Sequence, residues 1–243
     1  MSVFRVGLIT CFSIFILGYL NSHTQSVIGS FVSPQTGNLI NLGLHLANGN
    51  FSRFLTGILM FFTFVLGCAI GHRILKRKHN PKTEFFMCWG LFAVPIILYF
   101  FLYEYLPINI IISALSLVSG MALCFFRKIG QIDLNNNIVT GNMRFFAAAA
   151  HDALLTRDKS RVRPFWIYGL GIFIFFLGSF ACGIALRIGE DFARWLPTGI
   201  LILPFILILV GGFAKRTPNV EVVAVTAADT RKVEQGKVAK KKR

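Results

Sequence analysis

The chain has 243 residues, of which 55% are hydrophobic and only 14% charged, with 26 phenylalanines and a formal net charge of +15. A soluble domain carries about a quarter charged residues, so this composition excludes an ordinary water-soluble fold. The surplus cations sit in particular loops and in the tail, which marks membrane topology and not a nucleic-acid face.

A bilayer core about 30 Å thick is crossed by about 20 apolar helical residues. Six runs meet that need: Val6–Leu20, Phe54–Gly71, Phe85–Tyr103, Leu106–Phe126, Pro164–Leu186 and Trp195–Ala214. The first is short, and Arg5 ahead of it resembles the charged start of a signal peptide. The following "GYLNSHTQS" offers no small-x-small cleavage site, so the segment reads as a retained span. Residues 21–52 hold no Lys or Arg, whereas "HRILKRKHNPK" supplies Arg73, Lys76, Arg77, Lys78 and Lys82. The loop "YEYLP" around Glu104 is acidic, and the next stretch brings Arg127, Lys128, Arg144, Arg157, Lys159, Arg161 and Arg163. In "IGEDFARW", Glu190 and Asp191 balance Arg194, and the chain closes on Lys215, Arg216 and "KKKR". Positive loops stay in the cytoplasm, so spans one, three and five run outward and both termini are cytoplasmic.

The expected fold class is therefore all-α integral membrane, with six transmembrane helices. Residues 214–243 mix small, polar and basic side chains that cannot bury a core, and read as a disordered basic cytoplasmic tail. Such a tail is a solvated topology anchor or a contact for anionic lipid headgroups, at about 1 kcal/mol per Lys or Arg. Cys11, Cys68, Cys88, Cys124 and Cys182 lie inside the spans without metal-ligand spacing, and in lipid a cysteine behaves as a small hydrophobe. No cofactor or metal is expected.

One tripeptide recurs. Thr36-Gly37-Asn38 in "VSPQTGNLINLGLHLANG" and Thr140-Gly141-Asn142 in "NNIVTGNMRFFAAAAHD" stand 104 positions apart. Each follows a first span and precedes two more, and each half also carries a small-residue run, "LGCAIG" and "GSFACG". Three spans separate equivalent points, so the second copy is inverted relative to the first. The expected domains are a first repeat over residues 1–106, a second over 107–213 and the tail. Thr36–Ala47 gives about 18 Å of helix, half a bilayer, so each insert reads as a re-entrant half-helix opening at its triplet. Ser33 ahead of Pro34, or Thr36 itself, is the expected cap. Gly67 with Gly71, and Gly178 with Gly183, are expected to permit close helix crossing.

Asn38, Asn41, His45 and Asn48 recur at i, i+3, i+7 and i+10, one face of a helix. The second copy offers Asn142, Phe145, Ala149 and Asp152 at those places, so the stripe is half apolar there. The candidate binding residues are Thr36, Gly37, Asn38, Asn41, His45, Thr140, Gly141 and Asn142. His23 is a further titratable candidate. Against this stands the reading in which the triplets are helix-packing devices and His23 and His45 are satisfied structural histidines.

The segment Phe31–Gly43 resembles the signature of the YoaK-like bacterial membrane proteins, which read F-x-x-x-x-T-G-N-L-x-x-L-G. Phe31, Thr36, Gly37, Asn38, Leu39, Leu42 and Gly43 match, while Met143, Arg144 and Phe145 depart from the pattern in the second copy. The resemblance implies a multi-span protein of the bacterial inner membrane and brings neither substrate nor catalytic residues.

Three functions compete. A transporter or channel for a small anionic or polar solute would use the amide groups at the half-helix openings. A non-catalytic assembly or regulatory protein would use the small-residue faces and the basic tail. An enzyme is not expected: His151 and Asp152 are the one neighbouring His and acid, and adjacent helix residues point apart.

Overall fold

The computed structural model describes residues 3–77, 79–130, 132–136, 139–155 and 159–211; the expected tail over 214–243 lies outside them. Among the described residues, eight helices and one small hairpin follow in order: α1 Val3–Ile28, α2 Gln35–Ala47, α3 Phe51–Lys76, α4 Pro81–Leu102, α5 Ile108–Phe125, β1 Lys128–Ile129, β2 Ile132–Asp133, α6 Val139–Leu154, α7 Lys159–Ile188 and α8 Glu190–Gly211. Four of these are long and apolar enough to cross a bilayer by length and composition, over Phe51–Lys76, Thr83–Leu102, Ile108–Phe125 and Ser160–Ile188. The remaining two expected spans fall on α1 and α8.

The core gathers around α1, α4 and α5. Leu17, Tyr19, Leu20, Trp89, Phe92, Phe100 and Leu115 are all buried there. Helices α3 and α7 lie outside and turn Phe62, Leu66, Phe173, Phe176 and Phe180 outward, the surface that lipid covers.

The most extensive interfaces join α3 to α5 and α1 to α7, and both rest on glycine. A Cβ added at Gly67 would overlap the carbonyl oxygen of Leu117, and one at Gly120 the carbonyl oxygen of Phe64. On the other pair, a Cβ at Gly18 would overlap the carbonyl of Phe175, and one at Gly178 that of Phe15. In each case the oxygen belongs to the residue three positions before the facing glycine, so the two crossings share one arrangement. Lipid supplies no hydrophobic drive between helices, and close backbone approach at small residues replaces it. Gly71 fits this expectation, with Cys124 Cβ 3.0 Å from an added Cβ. Gly183 does not: nothing lies within 4 Å of its Cβ position, because five residues along α7 rotate it away from the face that meets α1.

The hairpin is an element that the sequence did not announce. Lys128 pairs with Asp133 across it, Arg127 stands 3.5 Å from the same carboxylate, and Thr10 of α1 donates to the Lys128 carbonyl at 3.0 Å.

Candidate functional site

The two triplets occupy the same place in their helices. Thr36, Gly37 and Asn38 are the second to fourth residues of α2, and Thr140, Gly141 and Asn142 are the second to fourth of α6. The expected caps are therefore corrected. Pro34 takes the N-cap position of α2 without a side-chain cap bond, and Thr36, two residues past the cap, is exposed.

Instead the asparagines lock the approach to each helix. Asn38 Nδ2 donates to the carbonyl of Phe31 at 2.8 Å. Asn142 Nδ2 donates to the carbonyl of Asn135 at 2.7 Å, and its Oδ1 accepts from the Asn135 amide at 2.9 Å. Both reach back seven residues, so one Asn fixes the loop that delivers the chain to its own helix.

That loop turns back along α1. Asn21 Oδ1 accepts from the amides of Val32 and Ser33, both at 3.1 Å. Its Nδ2 donates to Ser33 Oγ at 2.5 Å and to the Leu17 carbonyl at 2.7 Å. Asn21 lies seven residues before the end of α1, so Ser33 has returned about 10 Å down that helix. From there α2 runs up to a tight reversal in which Gly49, at φ 69, takes the left-handed conformation that glycine adopts without strain. Leu42 Cδ1 stands 2.7 Å from the Cβ position of Gly57, so α2 and α3 are antiparallel, and Gln35 lies beside the middle of α3. In the second half, Phe146 stacks on Phe165 at 4.9 Å and approaches Gly169, which sets Val139 beside the middle of α7. The return there is anchored by Asn136 Nδ2 on the Ala122 carbonyl of α5 at 3.0 Å.

Of the candidate residues, Thr36, Gly37, Asn38 and Asn41 share the first two turns of α2. His45 sits at the far end, in its last turn. Thr140, Gly141 and Asn142 gather at the start of α6. His23 is buried elsewhere, on the α1 face that meets α4, with Nδ1 2.7 Å from the Tyr99 hydroxyl and the rings of Tyr99, Phe100 and Tyr103 around it at 5.1–5.6 Å. His151 and Asp152 do meet, at 3.3 Å, against the expectation that neighbours diverge, and Arg161 stands 3.6 Å from the same carboxylate on the exposed surface.

One residue at the opening was missed. Gln35, the first residue of α2, has both Nε2 and Oε1 buried without a hydrogen-bond partner. Its signal was adjacency to the triplet. Asn136 Oδ1 and Ser116 Oγ are likewise buried without a partner. Among the described residues no group of His, Cys, Asp and Glu could hold a metal ion.

Residues 9–208 match the family described as protein of unknown function, DUF1275. The chain belongs to the DUF1275 family. This agrees with the resemblance to the YoaK-like membrane proteins carried by Phe31–Gly43, and DUF1275 assigns no activity to the triplets or to Gln35. None of the curated proteins and none of the solved structures matches the chain. With its apolar helices, this DUF1275 protein is a helical multi-pass membrane protein.

Proposed function

We propose that this DUF1275 protein passes a small anionic or polar solute across the bacterial inner membrane, as a transporter or channel built from two inverted three-span repeats. The repeats are residues 1–106 and 107–213, with both termini cytoplasmic. Several observations support this reading. The interfaces of α3 with α5 and of α1 with α7 correspond when α1, α2, α3 and α4 are mapped onto α5, α6, α7 and α8, and so do those of α2 with α3 and α6 with α7. Each triplet helix begins beside the middle of a long helix. A backbone that starts a helix at that depth is tolerated in a bilayer only against protein or a watery cavity, and its free amides carry about half a positive charge.

The observation that carries the reading is Gln35. An amide buried with neither its donor nor its acceptor bonded within the protein is destabilising by about 1–3 kcal/mol, and a passing solute would satisfy it. Together with the amides of the first α2 turn it offers donors to an anion and a donor–acceptor pair to a neutral polar molecule. The test is Gln35→Leu in proteoliposomes, assayed with radiolabelled formate, acetate, urea and formamide. Flux of at least one of these above empty liposomes, lost at least tenfold in the variant while its melting temperature holds or rises, is the expected result. Equal flux in both proteins, or none above empty liposomes, removes the assignment.

A further inference from the structure

The helices sort into two bodies that the order of the chain does not suggest. One comprises α2, α3, α4 and α5, the other α1, α6, α7 and α8. Inside each, a glycine crossing binds backbone to backbone, α3 on α5 and α1 on α7, and these are the broadest interfaces of the molecule. Between the bodies the helix contacts are narrower than these crossings and run through α4 with α8 and α1 with α5, beside the arms that Asn21 and Asn136 anchor. The seam runs between two units, each built on one glycine crossing.

The two ends of that seam differ in chemistry. At one end, Phe85 and Phe86 of α4 pack on Phe205 of α8, and Trp89 Nε1 donates to the Leu201 carbonyl at 2.9 Å. At the other end the seam is polar. Arg194 of α8 bonds the carboxylate of Glu104, holds Glu190 of its own helix at 3.2 Å, reaches the Tyr103 hydroxyl at 3.4 Å and lies over the Tyr103 ring at 5.3 Å. Beneath it, His23 of α1 meets the Tyr99 hydroxyl of α4. Both links cross from one body to the other.

We propose that Arg194, Glu104 and Tyr103, backed by the His23–Tyr99 hydrogen bond, form a latch that closes this end of the seam and releases when the two bodies part. The physical case is the contrast in strength. Glycine crossings cannot slide without overlap of backbone atoms, whereas a partly exposed ion pair exchanges its partner for water at little cost. Arg194 Nε is buried with no partner, so the closed clasp leaves one donor unused and gains a hydrogen bond on opening. The loop that carries Glu104 and the α7–α8 junction beside Glu190 lack the cation surplus of the other connections, which by the positive-inside rule sets the latch on the outer side.

This deepens the transport reading, since a passage between bodies requires a gate, yet its test needs no solute and so can fail or succeed independently of the flux assay. Cys182 of α7 is fully buried in the core that also holds Tyr19 and Tyr99, less than two turns from the end of α7 that leads to Glu190. Cys88 of α4 is buried toward the aromatic end. The full-length protein in nanodiscs is exposed to a water-soluble maleimide, and each thiol is followed by peptide mass mapping. Arg194→Gln is expected to speed modification of Cys182 at least fivefold and leave Cys88 unchanged. The charge swap Glu104→Arg with Arg194→Glu is expected to return Cys182 to its original rate. An unchanged Cys182 in Arg194→Gln, a matching rise at Cys88, or a swap that stays fast would each overturn the latch.

Discussion

Gly178→Ala is expected to destabilise the protein by about 3 kcal/mol, while Gly183→Ala, five residues along the same helix, is expected to be neutral or stabilising by up to about 1 kcal/mol. The first methyl would overlap the Phe15 carbonyl oxygen and crowd the Tyr19 amide. Neither can swing aside, because both belong to the backbone of α1, and a packed interior transmits such strain instead of absorbing it. Relief would require α1 and α7 to separate, which opens the crossing and forfeits the dispersion contacts that join helices in lipid. The second methyl meets nothing within 4 Å and only removes backbone freedom from the unfolded chain. Thermal denaturation of the detergent-purified variants, followed by loss of the monodisperse peak, measures the pair. A similar melting temperature for both would mean that α7 does not meet α1 through Gly178. The same reasoning extends to Gly120, whose Cβ would overlap the Phe64 carbonyl, so Gly120→Ala serves as the second-crossing control.

That contrast also shows where the sequence runs out. Gly178 and Gly183 look alike in "GSFACG", and only the direction from which α1 approaches tells them apart. The long apolar runs were readable because their length alone carries the information, and each overlaps most of a helix of the structure, overrunning its ends by up to two residues at α4 and α5. The short helix after Pro34 was readable too, with Thr36–Ala47 expected and Gln35–Ala47 observed, since the proline, the cation-free flank and the half-bilayer length all constrain it. The recurrence of Thr-Gly-Asn was visible, but its use was not. A threonine before a helix suggests a cap, and nothing in the local sequence says that the asparagine two positions on reaches back seven residues to a loop carbonyl. The hairpin at Lys128–Asp133 has two-residue strands, below the length at which alternation can be seen. Asn21 and Gln35 escaped notice because each lies just outside the segment that drew attention, on an α1 turn read as a span's polar flank and beside the triplet respectively.

Asn21 leads to the second large effect. Asn21→Leu is expected to cost about 4 kcal/mol, more than Asn38→Leu at about 1–2 kcal/mol, although the triplet residue is the one that recurs. Asn38 satisfies a single carbonyl, that of Phe31. Asn21 holds the amides of Val32 and Ser33 together with the Ser33 hydroxyl, and all three residues are buried. With leucine in place, two backbone donors and a hydroxyl lose their partner where no water replaces it, and each such loss is worth about 1–3 kcal/mol. The decisive measurement is hydrogen exchange at Val32 and Ser33 in nanodiscs. Since 1.4 kcal/mol is about a tenfold change in an equilibrium, Asn21→Leu should speed exchange at both amides by at least about a hundredfold, while protection at the α3–α5 crossing is retained. Exchange at Val32 and Ser33 that stays as slow as in the unaltered protein would mean that another group fixes the returning chain. If instead the two amides open while α3 and α5 hold, the arm before α2 is an independent unit, hung on one asparagine of α1 and free to set where the start of α2 stands.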